Sequence, residues 1–346
     1  MIHIFDRNYY RYFGRILTKN EHVYLGYTNS SVEFYVKGEE GKITTVTAEI
    51  GCNAEVPQNY ARLRVYIDDT IYSTTPIVLN KSVAAYEIAS FSDGKMHKIA
   101  IVKITEAQMS HAELCHFSFQ NGELLPLPST PDNRTKVEFI GDSITCGYGI
   151  LGAPHSEFDL AEEDGELCYA ALVAKELNLN ARYTSISGYG VYCEYTGNVK
   201  GTLPYVYPYV NPFVDPEARY DFQDFTPELV VINLGTNDSR FMGDPSIQEK
   251  FVICYIDFLK FIRSQYPDCK ILCICGTLCT ESYPYVEKAC ELIATEGYQD
   301  IYAMELPYHD IEKDGLASDH PSAATHAKDA KRLVAKIKEI MPKLVN

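Results

Sequence analysis

The chain has 346 residues, about twice the length of a typical domain, which favours two domains. Hydrophobic residues make up 46% and charged residues 23% of the sequence, a globular composition that excludes general disorder. The formal net charge of −16 argues against nucleic acid as a partner, because binding to a phosphate backbone requires clustered Lys and Arg.

Apolar runs and cysteines bear on membrane association, location and metal binding. No apolar run reaches the roughly 18 residues of a membrane helix, so we expect no membrane partner. Charged residues interrupt the N-terminus where a signal peptide needs an apolar core, and the eleven cysteines are an odd number, which predicts a cytoplasmic protein with reduced thiols. Cys273, Cys275 and Cys279 lack the paired spacing of a zinc site, so we predict no metal.

Residues 1–122 are predicted to form an all-β domain. Apolar and polar residues alternate in SSVEFYVKG and ARLRVYIDD, the pattern of half-buried strands. Short strands separated by turn residues, without a convincing helix, predict a sandwich or jelly roll. Residues 123–134 contain three prolines, which resist both helix and central strand, so we expect a linker there.

Residues 135–346 alternate between strand and helix patterns. KVEFIG, PELVVINLG and CKILCICG are typical of short buried strands, and longer segments with helical spacing lie between them. This alternation predicts an α/β domain with a parallel sheet flanked by helices. Ligands of such sheets bind beyond the carboxyl ends of the strands, so we expect the functional residues there.

Four segments place notable residues after predicted strands or before the last helix: Ser143 in GDSIT, Gly188 in ISGYG, Asn237 in GTND and His320 in DHPS. Each has an ordinary interpretation as a cap or turn. Together they meet the needs of acyl transfer, which are a nucleophile, a base and oxyanion donors. We predict Ser143 as nucleophile and His320 as base. The Ser143 and Gly188 backbone N–H groups and the Asn237 amide form the predicted oxyanion hole.

A dinucleotide site is the competing interpretation of the first of these segments. The glycines of GYGILG at 147–152 spell G-x-G-x-x-G after a strand, but loop-like residues follow where that motif needs a helix. We therefore predict no cofactor.

The four blocks, in this order over about residues 135–346, resemble those of the SGNH (GDSL-like) hydrolase superfamily. With a β domain ahead of them, the chain is similar to carbohydrate esterase family two. Members of that family pair an N-terminal jelly roll with a three-layer, flavodoxin-like SGNH domain and remove acetyl groups from xylan and related sugars. The resemblance implies a serine esterase acting on acetylated oligosaccharides, and it leaves homo-oligomerisation open.

The chain departs from the superfamily pattern at the acid of the catalytic triad. Many members carry Asp three residues before the histidine, where this chain has Ala317, whereas Asp319 directly precedes His320. Alternation along an extended segment would turn the Asp319 side chain away from the ring, towards solvent or the N-terminus of the last helix. We therefore predict a Ser143–His320 dyad oriented by a backbone carbonyl or another acid, with a weak triad through Asp319 as the alternative.

Two other function classes remain open. One is a lipid acyl-ester or thioester hydrolase of the same superfamily, although no long apolar lid is evident. The other is a non-catalytic carbohydrate-binding protein, which the joint presence of Ser143, Asn237 and His320 disfavours.

Beside the motifs, Tyr189 and Asp238 are predicted to bind substrate. Tyr189 begins a tyrosine-rich segment that extends to about residue 213. Tyrosine rings offer sugars an apolar platform with a hydroxyl at its edge, but they also pack domains and subunits together. Both interpretations of the segment stay open at this stage.

Overall fold

The computed structural model describes residues 2–344, so Met1 of the predicted β domain and residues 345–346 of the predicted α/β domain lie outside it. From residue 2 onward, the first domain contains twelve strands: β1 (Arg11–Phe13), β2 (Ile16–Lys19), β3 (His22–Leu25), β4 (Ser31–Gly38), β5 (Thr44–Cys52), β6 (Arg62–Ile67), β7 (Thr70–Ile71), β8 (Ile77–Val78), β9 (Val83–Phe91), β10 (Met96–Lys103), β11 (Ala112–Gln120) and β12 (Gly122–Leu125).

These strands form two antiparallel sheets packed as a sandwich. One sheet has the order β1-β4-β10-β6-β7, with β12 also on β4 and β8 also on β6, and the other has the order β2-β3-β11-β5-β9. Val32, Phe34 and Val36 of β4 are fully buried between the sheets while the residues between them are partly exposed, as the alternating pattern predicts. The predicted all-β fold of this half is confirmed.

The predicted linker begins too early. Residues Gly122–Leu125 pair with Tyr35–Gly38 of β4, and Leu124 is buried in the sandwich, so 123–125 belong to the first sheet. The connection between the domains therefore runs from Pro126 to the start of the next strand.

The second domain is built on a parallel sheet. Its strands are β13 (Lys136–Gly141), β14 (Asn180–Ser185), β15 (Leu229–Asn233), β16 (Lys270–Gly276) and β17 (Ile301–Leu306), followed by a hairpin of β18 (Leu316–Ala317) and β19 (His320–Pro321). Its helices are α1 (Ser143–Cys146), α2 (Tyr169–Glu176), α3 (Leu203–Val206), α4 (Thr236–Ser239), α5 (Pro245–Gln265), α6 (Tyr283–Thr295), α7 (Ile311–Asp314) and α8 (Ala323–Ile340).

The strand order β14-β13-β15-β16-β17 is that of flavodoxin-like sheets. Both faces of the sheet are covered, which explains why its strands read as continuous apolar runs. In β15, Val230 and Ile232 belong to the core on the α5 and α6 side, while Leu229 and Val231 belong to the core on the α2 and α8 side. The predicted α/β architecture is confirmed. Within residues 2–344, no helix combines the length and the apolar character that crossing a bilayer requires.

Buried polar contacts join the two domains. Arg15, from the turn between β1 and β2, reaches Glu138 of β13 at 3.1 Å, and both side chains are fully buried. The Arg15 guanidinium lies 4.1 Å from the centre of the Tyr207 ring, and the Tyr207 hydroxyl donates to Glu138 at 2.6 Å. Part of the tyrosine-rich segment therefore packs the domains together, as one of its two interpretations predicts.

Candidate active site

Ser143 and His320 meet at the carboxyl edge of the parallel sheet. Ser143 is the first residue of α1, directly after β13, and His320 lies in the hairpin that follows β17 and α7. The Ser143 Oγ lies 2.9 Å from the His320 Nε2. Asp142 caps α1 by accepting the Ile144 N–H at 3.1 Å, which fixes the turn that presents Ser143.

A backbone carbonyl orients the imidazole of His320. The His320 Nδ1 lies 3.1 Å from the Ser318 carbonyl oxygen, a contact that requires a hydrogen on Nδ1 and leaves Nε2 free to accept the Ser143 proton. Burial lowers the pKa of His320 below its ordinary 6.5, which favours the neutral ring. A neutral Nε2 beside a hydroxyl is the arrangement of a general base and its nucleophile.

The His320 ring also packs on an aromatic pair formed by Tyr148 and Phe158. The centre of the Tyr148 ring lies 4.3 Å from that of His320, and Tyr148 stacks on Phe158 at 4.4 Å. No local pattern predicts this support, although Tyr148 lies inside the GYG segment of the competing dinucleotide interpretation.

Asp319 does not contact His320. Ser318 and Asp319 have φ of +47° and +57°, so they form the two-residue turn of the hairpin and its backbone is not extended there. The Asp319 side chain is 63% exposed, and its carboxylate lies 2.5 Å from the His155 Nδ1. The triad alternative is therefore wrong for this residue. The predicted outward direction agrees with the structure, but its reason was wrong, and the partner is His155, not a helix N-terminus.

Gly188 and Asn237 follow β14 and β15, at the same carboxyl edge of the sheet as Ser143. Gly188 has φ of +80°, a left-handed conformation that glycine adopts without strain. Within residues 2–344, neither the Ser143 nor the Gly188 N–H donates to a protein acceptor, so both remain free for a ligand oxygen. The Asn237 Nδ2 donates to the Tyr189 carbonyl at 3.0 Å and to an Asp142 oxygen at 3.3 Å.

The carboxyl of Asp142, which accepts from the Asn237 amide, titrates near neutral pH. It is fully buried, and burial raises the pKa of Asp142 to about 7. Near neutral pH the carboxyl is therefore close to half protonated, which limits its repulsion of a developing oxyanion.

Asp238 holds the neighbouring loop and does not face the cleft. It is fully buried, and its two carboxylate oxygens accept the N–H groups of Val191, Tyr192 and Cys193 at 2.8 to 3.0 Å. A Cβ at Gly190 would lie 2.4 Å from the Asp238 Oδ2, so only glycine allows this approach. The predicted substrate contact of Asp238 is wrong, because its carboxylate is fully buried and is held by three backbone N–H groups of the protein.

Tyr189 and Tyr195 flank residues 187–188, which carry the predicted Gly188 donor and are called the oxyanion segment below. Tyr189 is half-buried and packs partly on the core, and its carbonyl accepts a hydrogen bond from the Asn237 amide. The Tyr195 side chain lies against Gly188, where an added Cβ would come within 2.9 Å of its ring, and Tyr195 is 55% exposed. Tyr195 is thus an exposed ring beside the oxyanion segment, and its sequence pattern does not distinguish it from the other tyrosines.

Potential metal ligands lie away from this site. Among the described residues, His22, Glu113 and Cys115 of the β domain form the one group of three potential ligands with close side-chain atoms. The Glu113 carboxylate already accepts a hydrogen bond from the Tyr24 hydroxyl at 2.6 Å, and it lies 2.6 Å from the His22 Nδ1. Cys273 and Cys275 are buried in β16, as small apolar residues of a core strand.

Two family models match the chain. A GDSL-like Lipase/Acylhydrolase family model matches residues 139–328, and a Carbohydrate esterase 2 N-terminal model matches residues 12–128. The first spans the motifs of Ser143, Gly188, Asn237 and His320, and the second spans the β-sandwich.

Among curated proteins, the chain is 34% identical over 281 residues to a "Cellulase/esterase CelE" of Acetivibrio thermocellus, covering 76% of this chain and 32% of that protein. It is 28% identical over 218 residues to an "Acetylxylan esterase / glucomannan deacetylase" of Cellvibrio japonicus, covering 58% of this chain and 57% of that one. The aligned part is thus about a third of the first relative and somewhat over half of the second.

Solved structures cover both domains together. A family two carbohydrate esterase from Clostridium thermocellum, in complex with cellohexaose, is 30% identical with a TM-score of 0.85, over 96% of this chain and 99% of that one. An acetyl xylan esterase from Butyrivibrio proteoclasticus is 21% identical with a TM-score of 0.87, over 99% and 98% of the two chains, which shows a shared fold.

Proposed function

The chain belongs to carbohydrate esterase family two, within the GDSL-like lipase and acylhydrolase proteins, and from this premise we propose that it removes acetyl groups from acetylated xylan-derived or related oligosaccharides. The observation that carries the proposal is the 2.9 Å contact between the Ser143 Oγ and the His320 Nε2, at the sheet edge where the Ser143 and Gly188 N–H groups have no acceptor among the described residues. This set supplies the nucleophile, base and oxyanion donors of a serine esterase.

The proposed reaction has two halves. In the first, the His320 Nε2 takes the Ser143 proton as Oγ attacks the acetyl carbonyl carbon, and the Ser143 and Gly188 N–H groups with the Asn237 amide stabilise the oxyanion. The imidazolium then protonates the departing sugar oxygen, leaving acetyl-Ser143. In the second, His320 takes a proton from water as the water oxygen attacks the acetyl carbon, and the imidazolium then returns that proton to the Ser143 Oγ as the acyl–oxygen bond breaks, which releases acetic acid and regenerates Ser143 and neutral His320.

A substrate comparison tests this proposal against its enzymatic alternative. Purified protein is assayed with acetylated xylo-oligosaccharides, acetylated glucomannan and matched acetyl and octanoyl esters of one chromophore. We expect acetyl esters to react much faster than octanoyl esters and the acetylated sugars to release acetate. A preference for octanoyl would instead support the lipid acyl-ester hydrolase, and binding of the sugars without turnover would support the non-catalytic carbohydrate-binding protein.

Asp319 is expected to contribute little to catalysis. We expect Asp319→Asn to lower kcat by less than about tenfold, whereas losing the carboxylate of a working triad costs about 10⁴-fold. The reason is that the Asp319 carboxylate contacts exposed His155 and the Ser318 carbonyl holds the His320 ring. Steady-state kinetics on an acetyl ester checks this, with His155→Ala as the matched control that removes the same contact. A loss near 10⁴-fold in Asp319→Asn with an intact fold would restore Asp319 to the mechanism.

The pH dependence should reflect a base without a carboxylate partner. A carboxylate on Nδ1 would raise the pKa of His320, whereas burial lowers it below 6.5. Since the base acts in its neutral form, kcat/KM is expected to fall only as the pH drops through a midpoint below 6.5. Asp142, with a pKa of about 7, titrates nearby, so the profile of Asp142→Asn separates the two groups. A His320 midpoint above 6.5 in that variant would contradict the dyad.

We also propose a cytoplasmic location. All eleven cysteines are free thiols in the structure, and a reducing compartment preserves thiols. Fractionation of the native host followed by immunodetection tests this, and recovery from the medium or envelope would contradict it.

A further inference from the structure

The oxyanion segment receives a contact from the other domain. Glu106 lies in the connection between β10 and β11 of the β domain and is fully buried. Its Oε2 accepts the backbone N–H of Ser187 at 3.0 Å. Ser187 directly precedes Gly188, so this hydrogen bond fixes the chain one residue before the predicted oxyanion donor.

Hydrogen bonds from a buried lysine anchor the β10–β11 connection that carries Glu106. The Lys103 Nζ is fully buried and donates to the carbonyl oxygens of Thr105 and Glu106 at 2.5 and 2.8 Å. Burial raises the pKa of both Glu106 and neighbouring Glu163, while Lys103, with a pKa of about 8, keeps its charge at neutral pH. Glu106 is thus held in a buried cluster, where its Oε2 serves as the acceptor for the Ser187 N–H.

Two hydrogen bonds within the α/β domain hold the carbonyl groups of Gly188 and Tyr189. The Tyr195 N–H donates to the Gly188 carbonyl at 3.0 Å, and Asn237 donates to the Tyr189 carbonyl at 3.0 Å. These two bonds anchor the Gly188 and Tyr189 carbonyls, which follow the Gly188 N–H along the chain. The bond to Glu106 anchors the Ser187 N–H, which precedes it, so the Gly188 N–H is held on both sides.

We propose that Glu106 is a positioning residue of the esterase site, through which the β domain fixes the Gly188 N–H towards the oxyanion. This inference rests on the proposed function. Oxyanion donors stabilise the transition state because they are oriented before reaction, and a misplacement of about 1 Å can cost roughly 10²-fold in rate. Because Glu106 acts through Ser187 and Gly188 and touches no substrate, its loss should lower kcat and leave KM nearly unchanged.

Three variants test this by acetyl-ester kinetics. We expect Glu106→Ala to lower kcat by about tenfold to 10²-fold, and Glu106→Gln, which keeps an acceptor oxygen, to restore most of the rate. Glu166→Ala is the matched control, because Glu166 accepts Arg64 and Tyr66 across the same domain interface at 2.8 and 2.6 Å without contact to the oxyanion segment. An unchanged kcat in Glu106→Ala, an equal loss in Glu106→Gln or an equal loss in Glu166→Ala would overturn the proposal.

Amide hydrogen exchange tests the same inference without turnover. Exchange at Ser187, whose N–H donates to Glu106, should accelerate in Glu106→Ala and stay at the wild-type rate in Glu106→Gln and Glu166→Ala. If the wild-type chain hydrolyses no acetyl ester, the proposed function fails while this measurement still decides whether Glu106 holds the segment. Unchanged exchange in Glu106→Ala would overturn the positioning role whatever the activity.

Discussion

Substitution of Ser143 by alanine is expected to lower kcat for acetyl-ester hydrolysis by about 10⁶-fold while the fold is retained. The Ser143 Oγ is the atom that contacts the His320 Nε2, and alanine leaves no atom that can form the acetyl intermediate. The residue lies at the start of α1 and is capped by Asp142, whose bond to the Ile144 N–H does not involve the hydroxyl, so the local structure should persist. Single-turnover kinetics with a chromogenic acetate and circular dichroism provide the measurements.

Variants of His320 provide the control for this prediction, because they test whether Ser143 and His320 act together. His320→Ala should lose about as much as Ser143→Ala, and the double variant should lose no more than either, because nucleophile and base act as one unit. Ser264→Ala, which removes an exposed hydroxyl bonded to the Phe261 carbonyl, should keep the full rate. Substantial turnover by Ser143→Ala would mean that another group is the nucleophile.

The fold and the position of the site could be predicted because both depend on local patterns. Alternation in β4 and continuous apolar runs such as that of β15 distinguish a sandwich strand from a strand covered on both faces. Once the second half is assigned a parallel sheet, its strand ends share one edge. Ser143, Gly188 and Asn237 each follow a different strand of that sheet, so topology alone brings them together.

Side-chain direction was not predictable in the same way. Asp238 directly follows Asn237 in the short helix α4, and one residue of rotation sends its carboxylate to the backbone of residues 191–193 and away from the cleft. Asp319 lies in a two-residue turn that lacks the Asn-Gly or Asp-Gly signature of such hairpins, so the sequence pattern does not indicate the turn.

Contacts between the domains left no local signal either. Glu106 and Ser187 are 81 residues apart, and nothing near either residue in the sequence indicates the other. Strand β12 escaped prediction because its four residues directly precede the proline-rich stretch and depend on pairing with β4. The parts that sequence reasoning missed are therefore those that long-range packing decides.

Asn237→Ala is expected to lower kcat by about 10² to 10³-fold with little change in KM, the loss typical of removing one oxyanion donor. The Asn237 Nδ2 has a bond of 3.0 Å to the Tyr189 carbonyl and a longer contact of 3.3 Å to Asp142, and the longer contact is the one that an oxyanion would replace. Because that exchange occurs as charge develops, the donor stabilises the transition state more than the bound ester.

A matched variant separates donation from support of the loop. Asn237→Asp keeps the size of the side chain but replaces the donor with an acceptor next to the oxyanion, so it should lose more than Asn237→Ala. Affinity for methaneboronic acid, which forms a tetrahedral adduct on the serine oxygen, should fall in parallel with kcat/KM in both variants, because the adduct needs the same donors as the transition state. A normal kcat in Asn237→Ala, or boronate affinity that stays at the wild-type level while kcat falls, would place the third oxyanion donor elsewhere.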